Sequence, residues 1–125
     1  MSENTKPTFE ETYEWLQTTD YNKGIGVTAL FRVKEEHLEN FIALLEDYIP
    51  YVLKEEGCID YGFHRDWRNS NDIWLTEKWV SPKILVEHLG PNARKGTKYE
   101  GSAPLDKFAK MEVFPDPAAI YKIGL

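Results

Sequence analysis

The spacing of apolar residues along the chain switches between two periods and outlines the fold. Every second residue over 25–33 is apolar, which predicts a β-strand. Residues 35–56 then carry apolar side chains at helical spacing, which predicts a long amphipathic helix that ends before Gly57. Pro50 lies inside this pattern, so a kink or a break is expected near residues 45–49.

A hairpin and a second helix follow. Residues 58–66 alternate again, residues 72–80 are rich in β-branched and aromatic side chains, and turn residues separate the two runs. Ser81 and Pro82 are the residue types that favour an N-cap and a first helical position, and Gly90 stands where the helix should stop. The pattern therefore predicts two antiparallel strands and a short helix.

The last strand completes the order. An irregular basic stretch over 92–107 precedes a β-like run at about 108–114, which Pro115 and Pro117 are expected to end. Residues 118–123 could add a short edge strand. The order β, α, β, β, α, β predicts an α+β fold of the ferredoxin-like kind, with both helices on one face of a four-stranded sheet.

The N-terminal segment looks like an addition to this domain, with a helical extension over 1–24 and the domain itself over 25–125. Thr8 and Glu11 form a capping box, and apolar residues at helical spacing predict a short helix over about 9–18. This helix is expected to dock through one apolar stripe.

The predicted middle strands carry bulky side chains on both faces. Trp74 alternates with Ile73 and Leu75, yet two helices can cover only one side of the sheet. The other side then needs a second subunit or a lid. We therefore expect a homodimer packed sheet against sheet.

Composition limits the classes of partner. The chain has 125 residues, 42% of them hydrophobic, which suits one globular domain. Fifteen basic against twenty-one acidic residues give a net charge of −6, which argues against nucleic acid as a partner. Apolar runs are too short to span a membrane, and the first residues lack a signal-peptide pattern, so a cytoplasmic protein with no membrane partner is expected.

No cofactor is expected from the motifs. A glycine-rich phosphate loop after a strand is absent, and no two histidines have the spacing of metal ligands. Cys58 is the single cysteine, so it cannot form an internal disulfide, and we interpret it as a small buried residue on a strand.

Several short motifs follow one another along the chain. They are the run Tyr48–Cys58, Tyr61, His-Arg-Asp at 64–66, Leu-Thr-Glu-Lys-Trp at 75–79 and Glu-His-Leu at 87–89. Together they resemble the antibiotic biosynthesis monooxygenase family, most closely its small quinol monooxygenases, over about residues 25–115. The resemblance implies a dimeric α/β barrel with a pocket in each subunit, between sheet and helices, for an aromatic polyphenol or quinol. Enzymes of this family oxidise it with dioxygen and without flavin, haem or metal, whereas other relatives degrade haem or isomerise a phosphorylated sugar.

A cofactor-free oxygenase needs a base to form the phenolate of its substrate, and histidine, with a reference pKa of about 6.5, suits this role. His88 lies on the apolar side of the second helix and matches the histidine of the family motif, so it is the first candidate. It could instead be a half-buried histidine that holds a backbone carbonyl or Glu87. His64, on the same strand face as Asp60, is the second candidate or else part of an interface pair. His37 is interpreted as a solvated surface residue.

Aromatic residues and one carboxylate complete the predicted substrate site. Tyr61, Trp74 and Trp79 could form its flat walls, or could be core and interface aromatics. Glu77 faces the same way as Trp79, and a carboxylate on an apolar strand face must find a donor or accept a raised pKa. It is therefore either a site residue or a structural ion-pair partner.

Two rival functions remain at this point. An isomerase of a small phosphorylated sugar would use the basic residues Arg94, Lys95 and Lys98 for the phosphate, although such a stretch is often a solvated surface. A non-catalytic dimeric module would bind an aromatic metabolite without converting it. The first hypothesis is a cofactor-independent monooxygenase that oxidises a small quinol or polyphenol.

Overall fold

A computed structural model of the protein describes residues 9–101 and 115–123. The elements are α1 (Phe9–Thr18), β1 (Ile25–Arg32), α2 (Glu35–Leu53), β2 (Cys58–Arg65), β3 (Asp72–Trp79), α3 (Pro82–His88) and β4 (Pro115–Lys122). The four strands form one antiparallel sheet in the order β2-β3-β1-β4. The fold is thus the predicted α+β, ferredoxin-like arrangement, with α1 added before β1.

The sheet has two unlike faces, which the register defines. Val27 on β1, Glu77 on β3 and Tyr61 on β2 are neighbours across the sheet. These residues share the inner face, which packs against α2 and α3. The alternate residues, including His64 and Trp74, form the outer face. Because side chains alternate along a strand, a residue keeps its face unless a bulge intervenes.

Helix α2 buries one stripe against the inner face and continues through Pro50, so of the kink or break expected there the break does not occur. Proline costs the helix one backbone hydrogen bond, but Tyr48 and Val52 on either side are buried and hold the helix to the sheet. After the helix, Gly57 has φ +82°, and a Cβ there would lie 2.7 Å from Cγ2 of Ile84. The turn into β2 therefore requires glycine.

Helix α3 begins as the sequence predicts. Ser81 Oγ accepts a hydrogen bond from the amide of Ile84 at 3.4 Å, and Pro82 is the first helical residue. Helix α1 packs against α3 and buries Leu16, which confirms the predicted helix over 9–18. Thr8 of the capping box lies outside the described residues. Neither these helices nor α2 is both long and apolar enough to cross a membrane.

The edge strand predicted over 118–123 is present as β4, but it begins earlier, at Pro115. The run at 108–114 lies outside the described residues, and Pro115 and Pro117 belong to β4 instead of ending a strand. Strand β4 is at the edge of the sheet and pairs only with β1, so its prolines break no second ladder. The β1–β4 register also shifts between Thr28 and Leu30, at the part of β4 that contains Pro117.

A second irregularity changes one face assignment. The alternation over 58–66 groups Ile59 with Tyr61, but the β2–β3 register shifts between Cys58 and Asp60. Ile59 is consequently exposed, while Tyr61 is buried. A bulge adds one residue to one strand and so reverses the faces on one side of it, which apolar alternation alone does not show.

Candidate active site

His88 lies at the end of α3 and is only 7% exposed. Its ring packs on Trp79 with centroids 4.5 Å apart, and the ring of Tyr61 is 5.7 Å away. Trp79 ends β3 and Pro82 begins α3, so the short connection between them brings helix and strand together at this point. The histidine therefore stands against the aromatic inner face of the sheet.

One side of the His88 ring is fixed by charged groups. Its Nδ1 lies 2.8 Å from Oε2 of Glu55, and Nη1 of Arg94 lies 2.9 Å from the same oxygen and 3.1 Å from Nδ1. A guanidinium has donors only, so it cannot accept a bond from Nδ1. We assign the neutral ring a proton on Nδ1 that is donated to Glu55, with Arg94 as the second donor to that oxygen.

The other ring nitrogen of His88 is open. Nε2 makes no hydrogen bond within residues 9–101 and 115–123. In these same parts of the chain, no buried side-chain nitrogen or oxygen lacks a partner, so Nε2 keeps contact with solvent. With the proton on Nδ1, Nε2 carries the lone pair that can accept a proton.

Glu77 is a second carboxyl group in this cluster. Its Oε1 accepts a hydrogen bond from Trp79 Nε1 at 2.8 Å, and the residue is buried. Burial raises the pKa of Glu77 above its ordinary value, while His88 and the bond from Trp79 lower it in part. Glu77 has thus found a donor and also has a raised pKa.

Two buried tyrosines pack in the same cluster. The rings of Tyr48 and Tyr61 meet edge to face with centroids 6.1 Å apart. Burial raises the pKa of both phenols. Both therefore stay protonated near neutral pH and can act as hydrogen-bond donors but not as bases.

An open pocket of about 500 Å³ adjoins the charged network. Glu55 and Arg94 form part of its wall, together with Tyr51, Ile84 and Lys95. His88 lies directly behind the first two of these side chains. The volume is in the range of pockets that bind one small organic molecule.

The structure separates the residues predicted for the site. Tyr61, Glu77, Trp79 and His88 come together on the inner face. His64 and Trp74 lie on the outer face, because they pair with each other across β2 and β3 at alternate positions. His64 is exposed, with Nε2 3.3 Å from Thr76 Oγ1.

Trp74 is also engaged away from the cluster. Its Nε1 donates to Oδ2 of Asp66 at 3.1 Å, and the residue is 38% exposed. It therefore does not line a site around His88 of the same chain.

Three residues of the cluster were not among the predicted site residues. Tyr48 and Glu55 lie seven positions apart within the run that carries the family resemblance, and this spacing was the available signal. Arg94 was considered only as a phosphate ligand in a basic surface stretch. Its side chain is instead 2% exposed and turned inward, which no periodic pattern in that irregular segment indicates.

Metal-binding side chains do not cluster in the described residues: no three His, Cys, Asp or Glu side chains there could hold an ion. Partial burial, with Glu55 and Glu77 nearby, raises the pKa of the Cys58 thiol to about 11. Near neutral pH this cysteine is therefore a thiol and not a thiolate.

Comparison with known proteins gives relatives of this chain. A curated relative, an uncharacterized protein of Synechocystis sp., is 34% identical over 65 residues. The match covers 52% of this chain and 44% of that protein, so the chain spans less than half of its relative's length.

Solved structures share the fold. A conserved protein from Methanosarcina mazei is 27% identical with a TM-score of 0.62, over 80% of this chain and 92% of that one. A candidate antibiotic biosynthesis monooxygenase from Caulobacter crescentus is 22% identical with a TM-score of 0.67, over 83% and 92%. The model of the family "antibiotic biosynthesis monooxygenase" matches residues 24–95, more than half of the chain. The protein belongs to the antibiotic biosynthesis monooxygenase family.

Proposed function

We propose that this protein is a cofactor-independent monooxygenase that oxidises a small quinol or polyphenol with dioxygen. The observation that carries the proposal is the state of His88. Its Nδ1 is held by Glu55, its ring packs on Trp79, and its Nε2 is unbonded within the described residues. A buried imidazole with one fixed nitrogen and one open nitrogen is well suited to act as a general base.

The reaction balances with dioxygen as the only oxidant. Nε2 of His88 takes a proton from a phenolic hydroxyl, and the resulting anion gives one electron to dioxygen. The substrate radical and superoxide combine to form a C–O bond, and the hydroperoxide then loses water. One oxygen atom is incorporated and the other leaves as water, so a naphthoquinol yields a hydroxynaphthoquinone and one water.

The surroundings of His88 support this chemistry. The buried rings of Tyr61 and Trp79 pack around the imidazole and limit the access of water to that side of it. Glu77, whose pKa burial raises, holds its proton to higher pH than an exposed glutamate and can donate a hydrogen bond to a substrate oxygen.

The isomerase hypothesis finds less support. Two of the three basic residues that it needs are engaged elsewhere, since Arg94 binds Glu55 and Lys98 Nζ lies 2.6 Å from Oδ2 of Asp47. Only Lys95 of the three lines the pocket while exposed. A phosphate would therefore have to displace an existing ion pair.

We propose further that the protein is a homodimer in which the outer faces of two sheets meet. Trp74 is partly exposed on that face although it is large and apolar. Helices α2 and α3 cover only the inner face. A second copy would bury the outer face in the way that two-layer packing requires.

Oxygen consumption tests the proposed activity. The chelator-treated protein is mixed with reduced naphthoquinols, and uptake is compared with autoxidation in buffer. We expect uptake above autoxidation that falls about 100-fold or more in His88→Gln, since loss of a general base costs about 10²- to 10⁴-fold. His37→Gln, on the exposed start of α2, is the matched control and should keep the activity.

Two other results would contradict the role of His88 or the activity itself. Loss of uptake in His64→Gln but not in His88→Gln would move the base to the outer face. Binding of quinols without any uptake would favour the non-catalytic module.

A further inference from the structure

We propose that Arg94 is a positioning residue that keeps the proton of the neutral His88 ring on Nδ1. The inference rests on the proposed function of His88 as a base, because only the proton position on Nδ1 leaves Nε2 able to accept a proton. Arg94 lies in the irregular segment over residues 89–101 that follows α3, and the proposed reaction does not involve it directly.

Arg94 contacts Glu55 and also the ring and the backbone oxygen of His88. Nη1 donates to Oε2 of Glu55 at 2.9 Å and lies 3.4 Å from the backbone oxygen of His88. Nε donates to the backbone oxygen of Tyr99 at 3.1 Å, and the guanidinium lies 5.3 Å from the ring centre of Tyr48. One side chain thus fixes the carboxylate that accepts the Nδ1 proton relative to the histidine itself.

The backbone of Arg94 points to the same role. Its φ is +53°, in the left-handed region that side chains with a Cβ rarely adopt. Within residues 89–101 the two other left-handed positions are glycines, Gly96 and Gly101. Strained backbone positions occur mostly at functional sites, which supports a role for the Arg94 side chain.

Glu55 needs this support. It follows the end of α2, and its side chain is 12% exposed and forms part of the pocket wall. Without the guanidinium, the carboxylate is free to rotate toward water and release Nδ1. The ring can then carry its proton on Nε2, and in that tautomer it cannot take a proton from a substrate there.

The loop has anchors that do not involve the Arg94 side chain. The hydroxyl of Tyr99 donates to Oδ2 of Asp47 at 2.5 Å, and the amide of Gly101 donates to the carbonyl of Ala93 at 2.8 Å. Substitution with glycine or asparagine, which both accept a positive φ, therefore removes the guanidinium and leaves these contacts in place.

Nitrogen-15 NMR of the His88 ring tests the proposal directly, at a pH where the ring is neutral. We expect the wild-type protein to show Nδ1 protonated, and Arg94→Gly and Arg94→Asn to show a large population protonated on Nε2. Arg94→Lys should also lose the Nδ1 form, because one ammonium cannot reproduce the forked contacts. Lys98→Met is the matched control, since it removes a neighbouring charge that binds Asp47, and it should leave the ring signals unchanged.

Kinetics provide the second measurement. We expect kcat for quinol oxidation to fall about 10- to 100-fold in the glycine and asparagine variants, with KM changed less than about threefold. The proposal is overturned if all Arg94 variants keep the proton on Nδ1. If wild-type protein shows no oxygen uptake but the NMR change occurs, the positioning role stands and the proposed oxygenase activity fails.

Discussion

Two tryptophan–carboxylate hydrogen bonds stand on opposite faces of the same sheet and have opposite electrostatic outcomes. On the inner face Trp79 donates to Glu77 at 2.8 Å, and on the outer side Trp74 donates to Asp66 at 3.1 Å. Burial raises the pKa of Glu77, whereas bonds from Trp74 and Arg68 lower the pKa of Asp66 to about 2. The two carboxyl groups differ in burial and in the number of their donors, because Asp66 accepts from Trp74 and also from the backbone and side chain of Arg68. Desolvation at Glu77 and the additional donors at Asp66 together set the opposite directions of the pKa shifts.

The two histidines on these faces differ in burial and in the groups that hold their rings. His88 is buried and its Nδ1 is fixed by Glu55, while His64 is exposed and has a single contact at 3.3 Å to Thr76. Residue type alone makes them equal candidates for a base. Their surroundings make only His88 pre-organised, because its ring orientation is set before any ligand binds.

Removal of each tryptophan should show the largest difference between the faces. Trp79 is fully buried, so we expect Trp79→Ala to lower the free energy of unfolding by about 3–5 kcal/mol. Trp74→Ala should cost the fold of one subunit about 1 kcal/mol, because within one subunit that side chain is already partly in water, and any further loss from weaker association depends on protein concentration. Urea unfolding at one fixed protein concentration measures both, and equal losses would contradict the distinction between a packed and an open face.

The sequence predicts the inner face better than the network behind it. Alternation over β1 and the helical stripe of α2 follow from burial on one side, which imposes a period on the residues. The same reasoning places Glu77 and Trp79 together. The bulge near Ile59 exposes that residue, and the alternation of apolar residues does not predict where a bulge occurs.

The charged network is beyond such reasoning. Glu55 and Arg94 are 39 positions apart, and Arg94 lies in a loop whose path depends on left-handed residues. Contacts of this kind follow from the folded chain and not from any local pattern. His88 could therefore be proposed from the sequence, but the groups that hold its Nδ1 could not.

The proposed dimer gives the next largest effect. A charge on an apolar interface is strongly unfavourable, so Trp74→Glu should weaken association by about 2 kcal/mol or more and shift the protein from dimer to monomer. Trp67→Glu is the matched control, since Trp67 is 89% exposed at the β2–β3 turn, beyond the strand ends. Light scattering on separated fractions measures the mass. A monomeric wild-type protein would refute the dimer, and a dimeric Trp74→Glu would place the interface elsewhere.

The pH dependence of stability gives the smallest effect and the most direct comparison of the two carboxyl groups. The folded protein binds the Glu77 proton more tightly than the unfolded chain does. The free energy of unfolding therefore falls as pH rises above 4.5, the ordinary pKa of this group, and stops falling once the raised pKa is passed. Asp66 has a lowered pKa, so its contribution is present above its ordinary value of 3.8 and is lost as pH falls toward about 2.

Amide substitutions separate these two contributions. Glu77→Gln should gain stability relative to wild type as pH rises from about 4 to about 8, because the amide carries no charge to bury. Asp66→Asn should lose stability relative to wild type near neutral pH and approach it as the solution becomes more acid, since the carboxylate that accepts from Trp74 is then protonated in both states. Urea midpoints at several pH values give both differences. If the two differences had the same sign at neutral pH, the opposite pKa shifts of the two carboxyl groups would not govern their contributions to stability.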